Sequence, residues 1–344
     1  MRNLLKQRIT RASLIKLVDE HRAVLLLALL FAVFSAAAPN FMNTYNIMTI
    51  FQGATLNTIV AVGFTVIFIL GQLDLSIGAV VMLCGMLVIG LQPSAGWPLS
   101  IILSVLAGSC VGFINGLLVV KAKINSFIVT LGMMIVVTSI MHIYSGGGSL
   151  AVDDFTLVDW LERPVLPFLT PQVILTLVIV LGGSFLLNRT VVGRGFFLVG
   201  GNQETAWLAG LNRDRYLIAG FIISSTTAAI GGVTFAIRLS SMTSSAILGT
   251  RTLMSVLSAV IIGGTLMSGG KGSIMKSFFA VLMLTTLFNG IGCFGFGFEV
   301  QIFVNGLILA LVVLYEAYVI NRHNLMRGRR PELMHELKRE FPRR

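Results

Sequence analysis

Apolar stretches about twenty residues long recur along this chain, separated by short polar interruptions. A helix crossing the hydrocarbon of a bilayer needs about 20 predominantly apolar residues, and in that medium every backbone N–H and C=O must find its partner within the protein. The pattern predicts an all-α polytopic membrane protein. Marking the runs gives about ten transmembrane helices, near 23–39, 46–70, 75–91, 98–120, 126–145, 171–187, 216–238, 251–267, 277–292 and 301–320. The second and third are parted by a GQLD break, and the eighth is drawn to begin on Arg251. Composition agrees: 56% of residues are hydrophobic and 11% charged, against about 25% charged in soluble domains. Mean hydropathy is +0.91. The period-two alternation of a β-barrel strand is absent.

Charge orients the bundle, because cytoplasmic loops collect Lys and Arg. With the N-terminus inside, the cytoplasmic segments 1–22, 71–74, 121–125, 188–215, 268–276 and 321–344 hold 22 of the 25 basic residues. The outer side receives Arg163, Arg238 and Arg251. Both termini are therefore expected to be cytoplasmic. Residues 1–22 form a basic cytoplasmic arm, 23–320 the transmembrane domain, and 321–344 a basic cytoplasmic tail that can form a short amphipathic helix after Pro331. The net charge of +11 is then juxtamembrane charge suited to anionic membrane lipid, with no nucleic-acid partner implied. The stretch ending SAAAPN resembles a cleavable signal peptide, but an uncleaved first helix is expected with nine further spans behind it.

No catalytic constellation emerges. The four histidines are scattered, the three cysteines have no metal-ligand spacing, and no cofactor or metal is expected. The stretch GGTLMSGGKGS at 263–273 has GGKG where a nucleotide-binding loop needs GK followed by Ser or Thr, so the chain is not expected to hydrolyse ATP. Its glycines are read as a turn at the cytoplasmic end of the eighth span.

Two stretches invite a functional reading. Asp74, in GQLDLSIG, is a carboxylate with no basic residue within forty positions. A carboxylate at a helix centre costs about 3 kcal/mol on insertion scales. Asp74 or Ser76 therefore caps a helix that restarts after a break, or Gln72, Asp74 and Ser76 line a translocation path or its inner gate. The second stretch is the cytoplasmic loop 188–215. Gly200 and Gly201 are read as breaking the chain, Asn202 as an N-cap with Glu204 in the first turn, and Ala206, Ala209 and Gly210 as one side of a short helix ending near Gly210. Such a helix serves as a docking element for a partner domain or simply as a connector. A faint internal echo, FINGLLV around Asn115 and LFNGIGC around Asn289, fits two inverted halves, and fits small-residue helix packing as well.

The stretches GQLDLSIG (71–78), VKAKINSFIVTLGMM (120–134), GGNQETAWLAGLNRDR (200–215) and VIIGGTLMSGGKGSIMKSFFAVLML (260–284) together resemble, in order and spacing, the membrane-spanning permeases of bacterial ABC monosaccharide importers of the ribose, xylose and arabinose type. The resemblance implies a multi-pass permease of the inner membrane, forming the path for a sugar. It also implies cytoplasmic ABC ATPase subunits, a periplasmic substrate-binding protein, and pairing as a homodimer or with a sister permease. Residues 200–212, with Gly201, Asn202, Glu204, Ala206, Ala209 and Gly210, would be the segment that couples to the ATPase. Asn115 and Asn289 join Gln72, Asp74 and Ser76 as candidates along the path. The chain departs from the family pattern at Gln72, where glycine is expected, and at Thr205 and Trp207 in the coupling segment. An acidic pair ahead of VIIGGT is replaced by Leu253 and Ser255, with Arg251 nearby, which leaves the substrate open. A branched-chain amino-acid permease, sharing the fold, and a self-sufficient secondary transporter are the alternatives.

Overall fold

The computed structural model describes residues 21–166, 169–314 and 317. The N-terminal arm through residue 20 and the tail 321–344 with its expected helix lie outside the described residues. The long helices are α1 (His21–Ala37), α2 (Thr44–Ile69), α3 (Ile77–Lys121) and α4 (Ser126–Ser145). A short strand β1 (Ser149–Ala151) and helix α5 (Thr156–Glu162) precede α6 (Pro171–Arg189), α7 (Val191–Gly201), α8 (Gln203–Leu208) and α9 (Arg213–Leu239). After strand β2 (Ser241–Thr243) come α10 (Ala246–Ile262), α11 (Ile274–Cys293) and α12 (Phe298–Leu314). The expected all-helical character holds, with one addition: β1 and β2 pair antiparallel, Leu150 opposite Met242.

The 45 residues of α3 hold two of the expected spans, joined without a loop. Gly96, at φ 69° and ψ 168°, leaves helical geometry between Pro93 and Pro98, and the arms fold back on each other. Asn115 of the second arm donates to Ser76 at the start of the first, at 3.0 Å, and Gly108 lies against Cys84 and Val80. Glycine satisfies the bend because it takes positive φ without a Cβ clash.

α9 packs against both arms of α3 and against α2. The approach is backbone to backbone: a Cβ on Gly63 would overlap α9 at the Ile223 carbonyl, and one on Gly232 would overlap the Val81 carbonyl. Small residues supply this close contact where no aqueous hydrophobic effect drives helices together. Around this core the usual soluble arrangement is reversed. Ile128, Ile135, Val178, Leu181 and Phe185, on α4 and α6, are exposed. Such a continuous apolar belt on helices long enough to span is a lipid-facing surface, and the protein is a multi-pass membrane protein.

α9 has 27 residues, about 40 Å at 1.5 Å per residue, and so separates two ends of the bundle. The β1–β2 ribbon lies at its C-terminal end. At its N-terminal end, α7, α8 and the loop 263–273 meet the end of α2. There the Gly270 N–H donates to the Ile69 carbonyl at 2.8 Å, Gly269 abuts Gly71, and a Cβ on Gly200 would overlap the Ile69 carbonyl oxygen. Gly200 and Gly201 thus do not break the chain, contrary to the sequence expectation. They are the last residues of α7; the missing side chain of Gly200 is used for the crossing with α2, and that of Gly201 for the approach of Gly270. The glycines of 263–273 do turn the chain, with φ of 86°, 81° and 77° at Gly264, Gly269 and Gly270.

Two further boundaries differ from expectation. Arg251 lies within α10, beyond its first turn, because its guanidinium finds polar and aromatic partners described below. His21 and Arg22 belong to α1 rather than to a free arm. Arg22 donates to the carbonyls of Ile262 and Ile261 at 2.6 and 2.7 Å, supplying a cationic cap at the C-terminus of α10.

The α2–α7 crossing gives a direct prediction. Gly200→Val places atoms where the Ile69 backbone sits and should cost about 1–3 kcal/mol or more. Gly132→Ala, whose added Cβ meets nothing within 4 Å, should be neutral. Thermal unfolding in detergent reads both, and equal stability of the two variants would contradict the packing described.

Candidate translocation chamber and coupling segment

Between α2 and α3 the chain leaves helical geometry for a few residues. The end of α2 is closed by a Schellman motif: Gly71, at φ 68°, donates to Phe68 O, and Gln72 N–H donates to Ile67 O at 3.1 Å, the paired bonds that finish a helix at a left-handed residue. Beyond it, Leu73 N–H donates to Ser126 Oγ at 3.3 Å and Leu75 N–H to Thr130 Oγ1 at 3.1 Å. Side chains of α4 thereby pair the backbone of the break, as a buried non-helical segment requires.

Asp74 occupies the centre of this break and is fully buried. Its Oδ1 accepts from Ser76 N–H at 3.1 Å and Ser76 Oγ at 2.6 Å, and its Oδ2 accepts from Ser224 Oγ of α9 at 2.9 Å. Ser76 Oγ also accepts from Asn115 Nδ2. The carboxylate therefore ties the start of α3, its second arm and α9 together. Of the candidates read from sequence, Asp74, Ser76 and Asn115 come together in one buried cluster. Gln72 lies beside it, half-buried, donating to the Gly71 carbonyl. Asn289 is elsewhere: it exchanges amide hydrogen bonds with Asn46 at 3.1 and 2.9 Å.

Asn289 faces a cavity of about 550 Å³ between α2, α9, α10, α11 and α12. Its wall includes the early turns of α2 and α10 and the last residues of α9 and α11, so it occupies the ribbon end of the bundle. Asp74 does not line it. Its polar groups are Thr49, Asn57, Arg238, Arg251, Asn289 and Gln301, together with Thr252, Ser255 and Thr285. Asn57 Oδ1 is buried without a hydrogen-bond partner. Arg251 donates to Gln301 Oε1 at 3.1 Å and stands 4.4 Å above the Phe298 ring. Ser255 accepts from Asn305 at 3.0 Å. Sequence reasoning missed this chamber, because it read Arg238 and Arg251 only as outer-side charges at span ends and gave Asn57 no role. A signal was present: Leu248, Arg251, Thr252 and Ser255 are spaced i, i+3, i+4 and i+7, which puts an arginine and two hydroxyls on one face of an apolar helix.

At the other end, α8 has six residues. Asn202 Oδ1 accepts from the N–H groups of Glu204 and Thr205, both at 3.0 Å, the expected N-cap. Gly210 N–H donates to Trp207 O, and Leu211 N–H to Ala206 O at 3.0 Å, with Gly210 at φ 72°, a second Schellman ending. Of the small residues expected on one side, only Ala206 is buried, while Ala209 is exposed. Trp207 and Leu208 project, 75% and 73% exposed.

A bundle with an apolar perimeter, a polar chamber opening among its core helices and a capped projection at the opposite end defines a membrane permease. A family model described as the permease component of the branched-chain amino acid transport system matches residues 46–314, and the chain belongs to that family. The ribose import permease of Escherichia coli K12 is 29% identical over 305 residues, covering 86% of this chain and 93% of that protein. The L-arabinose ABC transporter permease of Azospirillum brasilense is 31% identical over 318 residues, covering 92% and 93%. The D-allose transport system permease of Escherichia coli K12 is 31% identical over 300 residues, covering 86% and 91%. No solved structure matches the chain. The relationship read from the four sequence stretches is thereby borne out.

The Asp74 cluster yields a charge-versus-cap test. Asp74→Asn keeps an acceptor for the Ser76 N–H and should fold and transport nearly as the parent does. Asp74→Leu leaves buried donors of Ser76 and Ser224 unmatched and should cost about 3 kcal/mol or more, read as lost folded yield in detergent. A well-folded Asp74→Asn protein without uptake would show that the charge itself is used.

Proposed function

We propose that this chain is the membrane-spanning permease of an ATP-driven ABC importer of the bacterial inner membrane. It forms the translocation path for a monosaccharide delivered by a periplasmic binding protein. The observation that carries the reading is the polar chamber of about 550 Å³ set in an otherwise apolar bundle. Hydroxyl-rich cargo needs such a lining of hydrogen-bond donors and acceptors, and the unpaired Asn57 Oδ1 is an acceptor in waiting. The sugar names of the ribose, arabinose and allose relatives support the substrate class. The family description names branched-chain amino acids, but an amino acid brings an ammonium group, and no carboxylate lines the chamber to receive it.

The topology that goes with this reading has ten crossings, counting α3 as two, with both termini cytoplasmic. The chamber then faces the periplasm, where a binding protein releases its cargo, and α8 faces the cytoplasm. Asn115 and Asn289 lie toward opposite ends of the bundle, the placement that two inverted halves require. Residues 200–212 seat in cytoplasmic ATPase subunits, and two permeases, identical or sister chains, pair to complete the transporter. The projecting Trp207 and Leu208 supply the apolar part of that seat. Glu204, favoured by the positive helix end, supplies a charge for a basic partner group.

Trp207→Ala with Leu208→Ala, and separately Glu204→Lys, should insert normally, since neither touches a spanning helix. Both should lower ATPase co-purification and substrate-stimulated ATP hydrolysis in reconstituted vesicles by about tenfold or more, as removal of central apolar anchors or reversal of a paired charge does. Asn188→Ala, an exposed position at the C-terminal end of α6, should change neither. Full ATPase retention in all three would make 200–212 a connector only.

A further inference from the structure

Among the described residues, the chamber wall carries two guanidinium groups, from Arg238 and Arg251, and no aspartate or glutamate. Both arginines are half-buried, and taking a cation out of water without a counter-charge is costly. Their partners in the bundle are neutral. Arg238 reaches the Gln52 carbonyl at a long 3.5 Å, and feels the exposed Glu162 of α5 through space. Arg251 has the Gln301 amide oxygen and the face of Phe298. Each therefore keeps donors to spare, since a guanidinium carries five. The positions where an acidic pair was expected hold Leu253, which is buried, and Ser255, whose hydroxyl accepts from Asn305. A cavity whose walls carry positive charge concentrates anions and disfavours cations.

Building on the permease reading, we propose that the cargo is an anionic monosaccharide, bearing a carboxylate or a phosphate ester, whose charge is received by Arg238 and Arg251. Its hydroxyls meet Thr49, Asn57, Asn289 and the hydroxyl of Thr252. The planar guanidinium fork suits either oxyanion, two parallel N–H···O bonds to a pair of oxygens. Arginine suits this position because it stays charged when partly desolvated and can keep its stacking contact with Phe298 while it donates.

The test uses the complete transporter, with its ATPase and binding protein, in sealed vesicles. Matched probes share a carbon skeleton: D-ribose, D-ribonate and D-ribose 5-phosphate, and D-galactose, D-galacturonate and D-galactose 6-phosphate, with L-leucine alongside. Uptake and stimulated ATP hydrolysis are expected to favour an anionic member over its neutral counterpart by at least about tenfold. The carboxylate and phosphate arms identify which anion is carried. Arg251→Gln and Arg238→Gln should each lower that ratio by about tenfold, and Arg251→Lys should keep most of it, which preserves the test should a glutamine variant fail to assemble. Preference for the neutral sugars, or a ratio untouched by both glutamine variants, would overturn the charge assignment and leave the sugar permease standing. Uptake of leucine alone, or of none of the probes, would overturn the sugar-permease reading on which the assignment rests.

Discussion

A polypeptide that stops being helical inside a membrane bundle must find partners for each backbone group it frees, because no water is there to take them. In this protein that happens between Leu70 and Ser76, and much of the architecture follows from how the debt is met. Gly71 closes α2 by taking a positive φ. Ser126 and Thr130 bring the start of α4 onto the break to receive Leu73 and Leu75. Asp74 gathers Ser76 and Ser224, and Asn115 joins through Ser76. A short unpaired segment thereby fixes the mutual positions of α2, both arms of α3, α4 and α9.

The same segment links the two functional ends. Through Thr49 to Asn57, α2 forms one wall of the chamber, and its last residues, Ile69 to Gly71, rest against the glycines of α7 and of the 263–273 loop. α8 follows α7 directly through the Asn202 cap. Trp207 and Leu208 are thus joined to the chamber wall through packed backbone and one 26-residue helix. Interfaces of this kind, dense and free of side-chain slack, move as units rather than deform.

The apolar runs made the helices legible, since length and hydropathy decide insertion before any tertiary contact forms. The cap chemistry of Asn202 was also legible, being local, with donor and acceptor two or three residues apart; Asp74 instead accepts from the N-cap residue Ser76 just ahead of α3, whose own side chain makes no cap bond. Gly200 was misread because the sequence shows only that a side chain is missing, and both a chain break and a helix crossing want that. The crossing partner, the Ile69 carbonyl, is distant in sequence. Arg22 as the cap of α10, the fold of α3 at Gly96 onto itself, and the assembly of Asn57, Arg238, Arg251 and Gln301 into one wall are likewise long-range facts.

The account places the chamber and the coupling segment on opposite faces of one membrane. Cys293 lines the chamber, Cys84 is buried, and Cys110 is exposed on the second arm of α3, so a Cys110→Ala protein carries one reporter of the chamber. Adding Thr205→Cys gives one reporter of α8. In sealed vesicles of known orientation, a membrane-impermeant maleimide should modify Cys293 from the periplasmic side alone and the cysteine at position 205 from the cytoplasmic side alone. Modification of both from the same side would contradict the account.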